Sequence, residues 1–128
     1  MLIYFYYQNL AFHLISILYY CNYKLHLIVF IKFLNHNHFI LNNNYPNPFN
    51  PLTRIRYYIP ENGLVNIMVY DMLGNKVNQL VNEIQISGYN SVIWDATNNQ
   101  GNSVSAGVYL YSIEAEIFRQ TKKMILLK

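Results

Sequence analysis

Apolar and polar side chains alternate with a period of two residues over most of the chain after Tyr45. The two clearest apolar faces are Ile55, Tyr57 and Ile59, and then Val65, Ile67 and Val69. Such alternation is typical of β-strands with one buried and one solvent-facing side. We therefore predict six or seven strands, the clearest covering residues 53–60, 64–71, 76–84, 89–96, 108–116 and 121–127.

Turn-forming residues separate these segments. The run Leu73, Gly74 and Asn75 can supply the positive φ of a tight hairpin turn, and residues 98–102 form a second turn cluster. Pro60 is expected to end its strand, because proline cannot donate to a ladder. Short strands at this spacing, with no segment of helical period, predict an all-β fold. We expect an immunoglobulin-like or fibronectin-III-like antiparallel β-sandwich, with Val92, Trp94, Tyr109, Tyr111, Ile113 and Ala115 pointing inward.

Composition divides the chain into two parts. All prolines, glycines and acidic residues lie after position 44, whereas residues 1–44 hold the four histidines, Cys21 and only two formal charges, Lys24 and Lys32. The polar run at residues 42–44 marks the predicted boundary. We predict an apolar N-terminal segment at 1–44 and a β-sandwich domain at 45–128.

Three interpretations of residues 1–44 stay open. The first is a membrane-embedded or interfacial segment. Residues 1–23 are uncharged but interrupted by polar side chains, and a spanning helix that continued through Lys24 would pay about 2.5–3.5 kcal/mol for the buried charge. The second is translated non-coding sequence, because the composition is what AT-rich codons favour; the third is a packed part of the fold. We expect residues 1–34 to be helical or poorly ordered and to make few contacts with the sandwich, and the first interpretation adds contact with a membrane.

Charge and reactive groups favour a non-catalytic domain. Residues 45–128 carry seven basic and six acidic side chains, a net charge of +1, so nucleic acid is not an expected partner. They contain no His and no Cys, and Asp71 and Asp95 are expected to cap turns. His36 and His38 lack a third ligand at suitable spacing. We predict no enzyme activity, metal, cofactor or small-molecule substrate.

An ordered series of motifs resembles the type A C-terminal sorting domain of the type IX (Por) secretion system. It opens with Tyr45, Pro46, Asn47, Pro48, Phe49, Asn50 and Pro51, followed by Thr53, Ile55, Tyr57, Ile59 and Pro60. It continues through Tyr70, Asp71, Gly74, Gly88, Trp94, Asp95, Gly101, Gly107 and Tyr109, and ends with Lys122, Lys123 and Met124. The resemblance covers residues 45–128, with Ala96 standing where this family commonly has glycine.

The resemblance implies an export address for an attached cargo protein. Its partners would be the outer-membrane translocon and the cell-surface processing and attachment machinery, and its location would be secreted or on the cell surface. Such domains follow long exported proteins, so we expect this chain to be a fragment of a larger one. The alternative is a structural or adhesive immunoglobulin-like module on the cell surface.

The motif residues also have expected physical roles. Pro46, Pro48 and Pro51 are expected to keep the first segment extended as a stiff spacer. Core packing is expected for Tyr45, Phe49, Tyr70, Trp94 and Tyr109, and also for Met124 and Leu126. The last strand is expected at a sheet edge, where unpaired backbone groups permit β-augmentation, with Lys122, Lys123 and Lys128 as an exposed basic edge.

Overall fold

A computed structural model describes residues 19–28 and 39–128, which belong to two units, Met1–Asn35 and His36–Lys128. In the first unit, residues 19–28 form a helix, as expected for this part of the chain. We expect few contacts between residues 1–34 and the sandwich, and burial of Phe5, Phe12 and Leu18 against the strands would contradict this. These three residues lie outside the described part of the chain. Across the described ranges, no helix combines the length and the apolar character that crossing a membrane requires.

The second unit is a β-sandwich of two antiparallel sheets, which confirms the predicted fold class. Its described strands are β1 (Ile40–Leu41), β2 (Thr53–Ile59), β3 (Gly63–Tyr70), β4 (Lys76–Gln85), β5 (Gly88–Trp94), β6 (Gly107–Ala115) and β7 (Phe118–Leu126). One sheet has the order β1-β2-β5 and the other β4-β3-β6-β7. The six longer strands match the six predicted segments to within a few residues at each end.

The sandwich includes residues upstream of the predicted boundary at Tyr45. Ile40 pairs with Tyr58 and Leu41 pairs with Tyr57, and the Leu41 side chain is buried in the core. A strand of two residues is too short to show a period, and its composition matches the apolar segment before it. For this reason the compositional change at residue 44 does not coincide with the start of the sandwich, whose first described strand begins at Ile40.

The inner faces of both sheets form one core. The alternating residues of β2, β3 and β6 that the sequence placed inward are buried, and Val92 packs partly buried beside them. Trp94 lies at one end of this core with 1% of its surface exposed. Its ring centroid is 5.6 Å from that of Phe49 and 5.2 Å from that of Tyr109. Such tilted and edge-on aromatic contacts stabilise a core beyond simple area burial.

The proline segment is folded onto the sandwich and is not an extended spacer, so that expectation was wrong. Residues 46–48 form bends, and the peptide bonds preceding Pro46, Pro48 and Pro51 are cis. Phe49 enters the core with 2% exposure. Its backbone N–H donates to the Ile125 carbonyl at 2.9 Å, and its carbonyl accepts from the Leu127 N–H at 2.8 Å. Burial of one aromatic ring draws this segment inward despite its prolines.

Candidate functional site

Two acidic residues of the motif series organise turns, as predicted. The Asp71 carboxylate accepts hydrogen bonds from the backbone N–H groups of Leu73 and Asn75 and from the Asn75 side chain. These hydrogen bonds, led by the one from the Asn75 side chain, hold the pKa of Asp71 below its usual value. Gly74 completes this turn with a φ of 84°. Asp95 accepts hydrogen bonds from the Thr97 backbone N–H and hydroxyl. Both carboxylates are therefore engaged in hydrogen bonds within their own turns.

Ala96 adopts a left-handed conformation with a φ of 61°. Glycine reaches this region without steric cost, whereas a residue with a Cβ pays about 1–2 kcal/mol. The Ala96 methyl group is buried, which offsets part of that cost. The position where the resembling family commonly has glycine is therefore one where the backbone favours glycine.

The aromatic motif residues divide into core and surface positions. Phe49, Trp94 and Tyr109 are buried, as expected, and Tyr70 is half-buried. Tyr45 is 81% exposed, so its predicted core position was wrong. Its backbone pairs with Arg54, whose own side chain is exposed, so the residues of this pair lie on the outer side of the sheet.

A buried tyrosine ties the strand β6 to the segment before Tyr45, a contact that the sequence did not reveal. The Tyr111 hydroxyl donates to the Asn42 carbonyl at 2.9 Å and accepts from the Asn44 backbone N–H at 3.0 Å. Burial raises the pKa of the Tyr111 hydroxyl, and the hydrogen bond from Asn44 opposes this rise. Alternation placed Tyr111 inward, but nothing local in the sequence identifies partners that lie 67 and 69 residues away.

The outer edge of β7 is the candidate recognition feature of the four-stranded sheet. This strand pairs with β6 on one side and lies at the end of the strand order. The backbone groups of Ile125 and Leu127 point away from β6, because they bind Phe49. Backbone direction alternates along an antiparallel strand, so the N–H and C=O groups of Arg119, Thr121 and Lys123 also point outward. Within the described chain no hydrogen bond engages these outward backbone groups.

The proline segment closes the last part of the same edge. Phe49 forms a parallel bridge with Leu126, and the Asn47 side-chain oxygen accepts from the Ile125 N–H at 3.0 Å. Asn47 therefore contributes to the edge as a structural residue. The open stretch begins near Phe118 and ends at Lys123.

The two adjacent lysines of this strand point in opposite directions. Lys123 is exposed on the outer face. Lys122 shares the inner side of the strand with Met124, and its Nζ donates to the Asn43 side-chain oxygen at 2.9 Å. Lys122 is half-buried, so the expected basic edge is reduced to Lys123 and Lys128.

No cluster of three or more His, Cys, Asp or Glu side chains with metal-binding geometry occurs in residues 19–28 and 39–128. His36 and His38 lie outside the described residues, so the structure does not test their predicted lack of a metal. Cys21 is exposed on the helix and forms no disulfide.

Two facing antiparallel sheets of seven described strands, with a buried tryptophan between them, define an immunoglobulin-like β-sandwich. Residues 54–117 match the sequence profile of the FlgD Ig-like domain family. The chain belongs to this family. Among the curated proteins compared with this sequence, none matches it.

Three solved structures resemble the chain. Dimeric latent PorU from Porphyromonas gingivalis has a TM-score of 0.57 and 22% identity, over 70% of this chain and 9% of PorU. PorZ, an essential surface component of the type-IX secretion system of the same bacterium, has a TM-score of 0.49 and 18% identity, over 73% of this chain and 12% of PorZ. FlgD from P. aeruginosa has a TM-score of 0.47 and 25% identity, over 57% of that chain and 58% of this one. The chain thus spans about a tenth of PorU and PorZ, and the likeness to PorU is one of fold.

Proposed function

We propose that the sandwich is a non-catalytic sorting module that directs an attached cargo protein through the outer membrane by type IX secretion. Support comes from the ordered motif series and from the fold that the described residues share with a domain-sized part of PorU. The observation that carries the proposal is the open outer edge of β7. The module would act in the periplasm and leave its cargo secreted or on the cell surface.

Recognition by the translocon would use β-augmentation on this edge. Outward N–H and C=O groups at Arg119, Thr121 and Lys123 provide a ladder of three residues for an added strand. Exposed edges of this kind usually carry devices that prevent uncontrolled pairing, and lysine is the commonest of them. Lys123 provides that protection here and adds a charge by which a specific partner can be selected.

The motif residues support this mechanism indirectly. Asp71 and Asp95 hold turns, Phe49 and Trp94 fill the core, and Asn47 fixes the end of β7. Each of these contacts helps to present the edge strand in one conformation. In this proposal the translocon recognises the folded edge strand, and this recognition needs no catalytic residue.

A single proline tests the proposal with little damage to the fold. Residues 36–128 are fused behind a signal peptide and a fluorescent passenger and expressed in a bacterium with type IX secretion. Thr121→Pro removes an N–H that points away from β6, so it costs no internal ladder bond, but it blocks an incoming strand. Thr121→Val keeps the N–H and is the matched control. We expect the wild-type and valine fusions on the cell surface and the proline fusion in the periplasm.

Export of the proline fusion as efficiently as the wild type would contradict recognition through this edge. Removing Thr121–Lys128 is a less specific perturbation, because it also takes Met124 and Leu126 out of the core. Comparing Lys123→Gln with Lys122→Gln separates the exposed charge from the one bonded to Asn43. If both lysine variants are exported normally while Thr121→Pro is retained, the backbone edge is the address and the charges are not.

A second function is favoured by the family itself. Membership of the FlgD Ig-like domain family is equally consistent with a structural or adhesive module on the cell surface. In that role the β7 edge would bind a neighbouring subunit and export would not depend on it. Normal export of Thr121→Pro, together with loss of surface assembly or adhesion, would favour this second function.

A further inference from the structure

The outer face of the three-stranded sheet carries two arginines without acidic partners. Arg54 and Arg56 are both exposed and lie on the same side of β2. Among the described residues, no carboxylate lies within 4.0 Å of either guanidinium group, and their one hydrogen bond joins Arg54 Nη1 to Ser91 Oγ at 3.5 Å. None of the six acidic residues of the chain belongs to β1, β2 or β5. Both guanidinium groups are available to an anionic partner.

Exposed aromatic and apolar side chains surround this pair. Tyr45 is 81% exposed and Tyr89 is 75% exposed. Two shallow clefts meet at Arg56, one of about 420 Å³ reaching Tyr45 and one of about 290 Å³ reaching Tyr89. Ile93 lies half-exposed opposite Arg54 in the β2–β5 ladder. We call this surface of Arg54, Arg56, Tyr45, Tyr89, Ser91 and Ile93 the arginine face.

We propose that the arginine face binds an extended acidic peptide segment of a partner protein, with carboxylates at alternate positions. Arg54 and Arg56 are two residues apart on one strand, which separates their Cα atoms by about 6.7 Å. Alternate side chains of an extended peptide repeat at the same distance, so two successive carboxylates can meet both guanidinium groups. Each pair can form two parallel hydrogen bonds, the strongest geometry for a carboxylate.

The surrounding side chains suit a protein ligand. Tyrosine and arginine, together with tryptophan, are enriched among the residues that dominate the free energy of protein–protein binding. Tyr45 and Tyr89 offer rigid apolar surface on either side of the arginines, against which the side chains between the carboxylates can pack. Charge complementarity would orient the segment and accelerate its association.

This inference is independent of the sorting role. β2 belongs to the three-stranded sheet and the proposed address is the edge of β7 in the other sheet. A partner on the arginine face contacts side chains, whereas the proposed translocon contact uses backbone groups. Failure of one proposal leaves the other standing.

The test is peptide binding to the full chain, measured by fluorescence anisotropy. The probe is a fluorescein-labelled decapeptide with glutamate at alternate positions and threonine between them. We expect saturable binding that weakens at least about tenfold when salt rises from about 0.05 M to about 0.5 M, because the ionic contacts lie at the surface. Arg54→Gln with Arg56→Gln should weaken binding by at least about tenfold, and Tyr45→Ser should weaken it by a smaller factor.

Matched controls separate the arginine face from general charge. Lys76→Gln removes an exposed positive charge from the other sheet and should leave binding within about twofold. Arg54→Lys with Arg56→Lys keeps the charge without the bidentate geometry and should give an intermediate affinity. Circular dichroism establishes that every variant keeps the sandwich.

Four results would overturn the proposal. The first is that the glutamate peptide shows no saturable binding, and the second is that the same peptide with glutamine in place of glutamate binds equally well. The third is that Lys76→Gln loses as much affinity as the double arginine variant. The fourth is that polygalacturonate binds and the peptide does not. The last result would identify the arginine face as a site for an anionic polysaccharide instead.

Discussion

Replacing Tyr111 with phenylalanine tests whether the contact between β6 and residues 42–44 stabilises the sandwich. The substitution keeps the buried ring and removes one oxygen atom. It leaves the Asn44 N–H without its partner in a buried residue, and it leaves the Asn42 carbonyl without its partner in a half-buried one. Nothing else in the core changes volume, so the hydrogen bonds are isolated from packing.

The expected loss follows from the surroundings of each group. A buried donor left unpaired costs about 1–3 kcal/mol, whereas the Asn42 carbonyl is open enough for water to replace part of its bond, so about 0.5–1 kcal/mol is lost there. The sum is about 1.5–4 kcal/mol, a large fraction of the roughly 5–15 kcal/mol that stabilises a typical domain. For a domain of this size each kcal/mol lowers the melting temperature by about 4–8 °C.

Thermal and urea denaturation of the full chain, followed by circular dichroism, measure this loss. Tyr89→Phe is the matched control, because Tyr89 is 75% exposed, and we expect it to change stability by less than about 0.5 kcal/mol. If Tyr111→Phe is as stable as Tyr89→Phe, the hydroxyl does not contribute to closing the sandwich. In that case the segment before Tyr45 is held by its pairing with β2 and by the burial of Leu41.

Three further predictions concern the core and its titration. Phe49→Ala should destabilise the sandwich by about 3–5 kcal/mol in urea denaturation, because it leaves a cavity against Trp94; a loss below about 1 kcal/mol would show that the segment is not part of the core. Burial raises the pKa of both Tyr57 and Tyr111, and the negative charge of Glu83 adds to the rise at Tyr57. The stability that these hydroxyls contribute is therefore complete below about pH 10 and is lost as pH rises through their folded-state pKa values. An alkaline stability titration should fall less steeply in Tyr111→Phe than in wild type, and equal slopes would contradict this. Ala96→Gly should change stability by less than about 1 kcal/mol, because relief of the left-handed backbone offsets the lost methyl burial and the added chain entropy; a loss above about 2 kcal/mol would refute that balance.

Alternation predicted the strands well because one face of each strand is buried and the other is solvated. Ile55, Val65 and Ile113 follow this pattern, and each is buried. The turn chemistry of Asp71 was equally local, because the three hydrogen bonds to its carboxylate come from residues within four positions. Local rules therefore accounted for most of the sheet architecture.

Features that depend on distant contacts were not predictable in the same way. β1 has two residues, and it is stabilised by pairing with β2 and by the burial of Leu41. Tyr45 looked like a core aromatic, but its pairing with Arg54 places it outside. The sequence shows the pair of arginines on β2. The strand order is needed to show that the neighbouring strands of its sheet, β1 and β5, carry no acidic residue.

The attachment of Phe49 to β7 has a consequence for biosynthesis. The ring of Phe49 packs against Trp94, and its backbone binds Ile125 and Leu127, which are among the last residues of the sandwich to be translated. Until they leave the ribosome, the aromatic end of the core stays open and β6 lacks its outer neighbour. Folding of this sandwich must therefore be completed after translation of β7, and any domain that precedes it in a longer chain would have time to fold first.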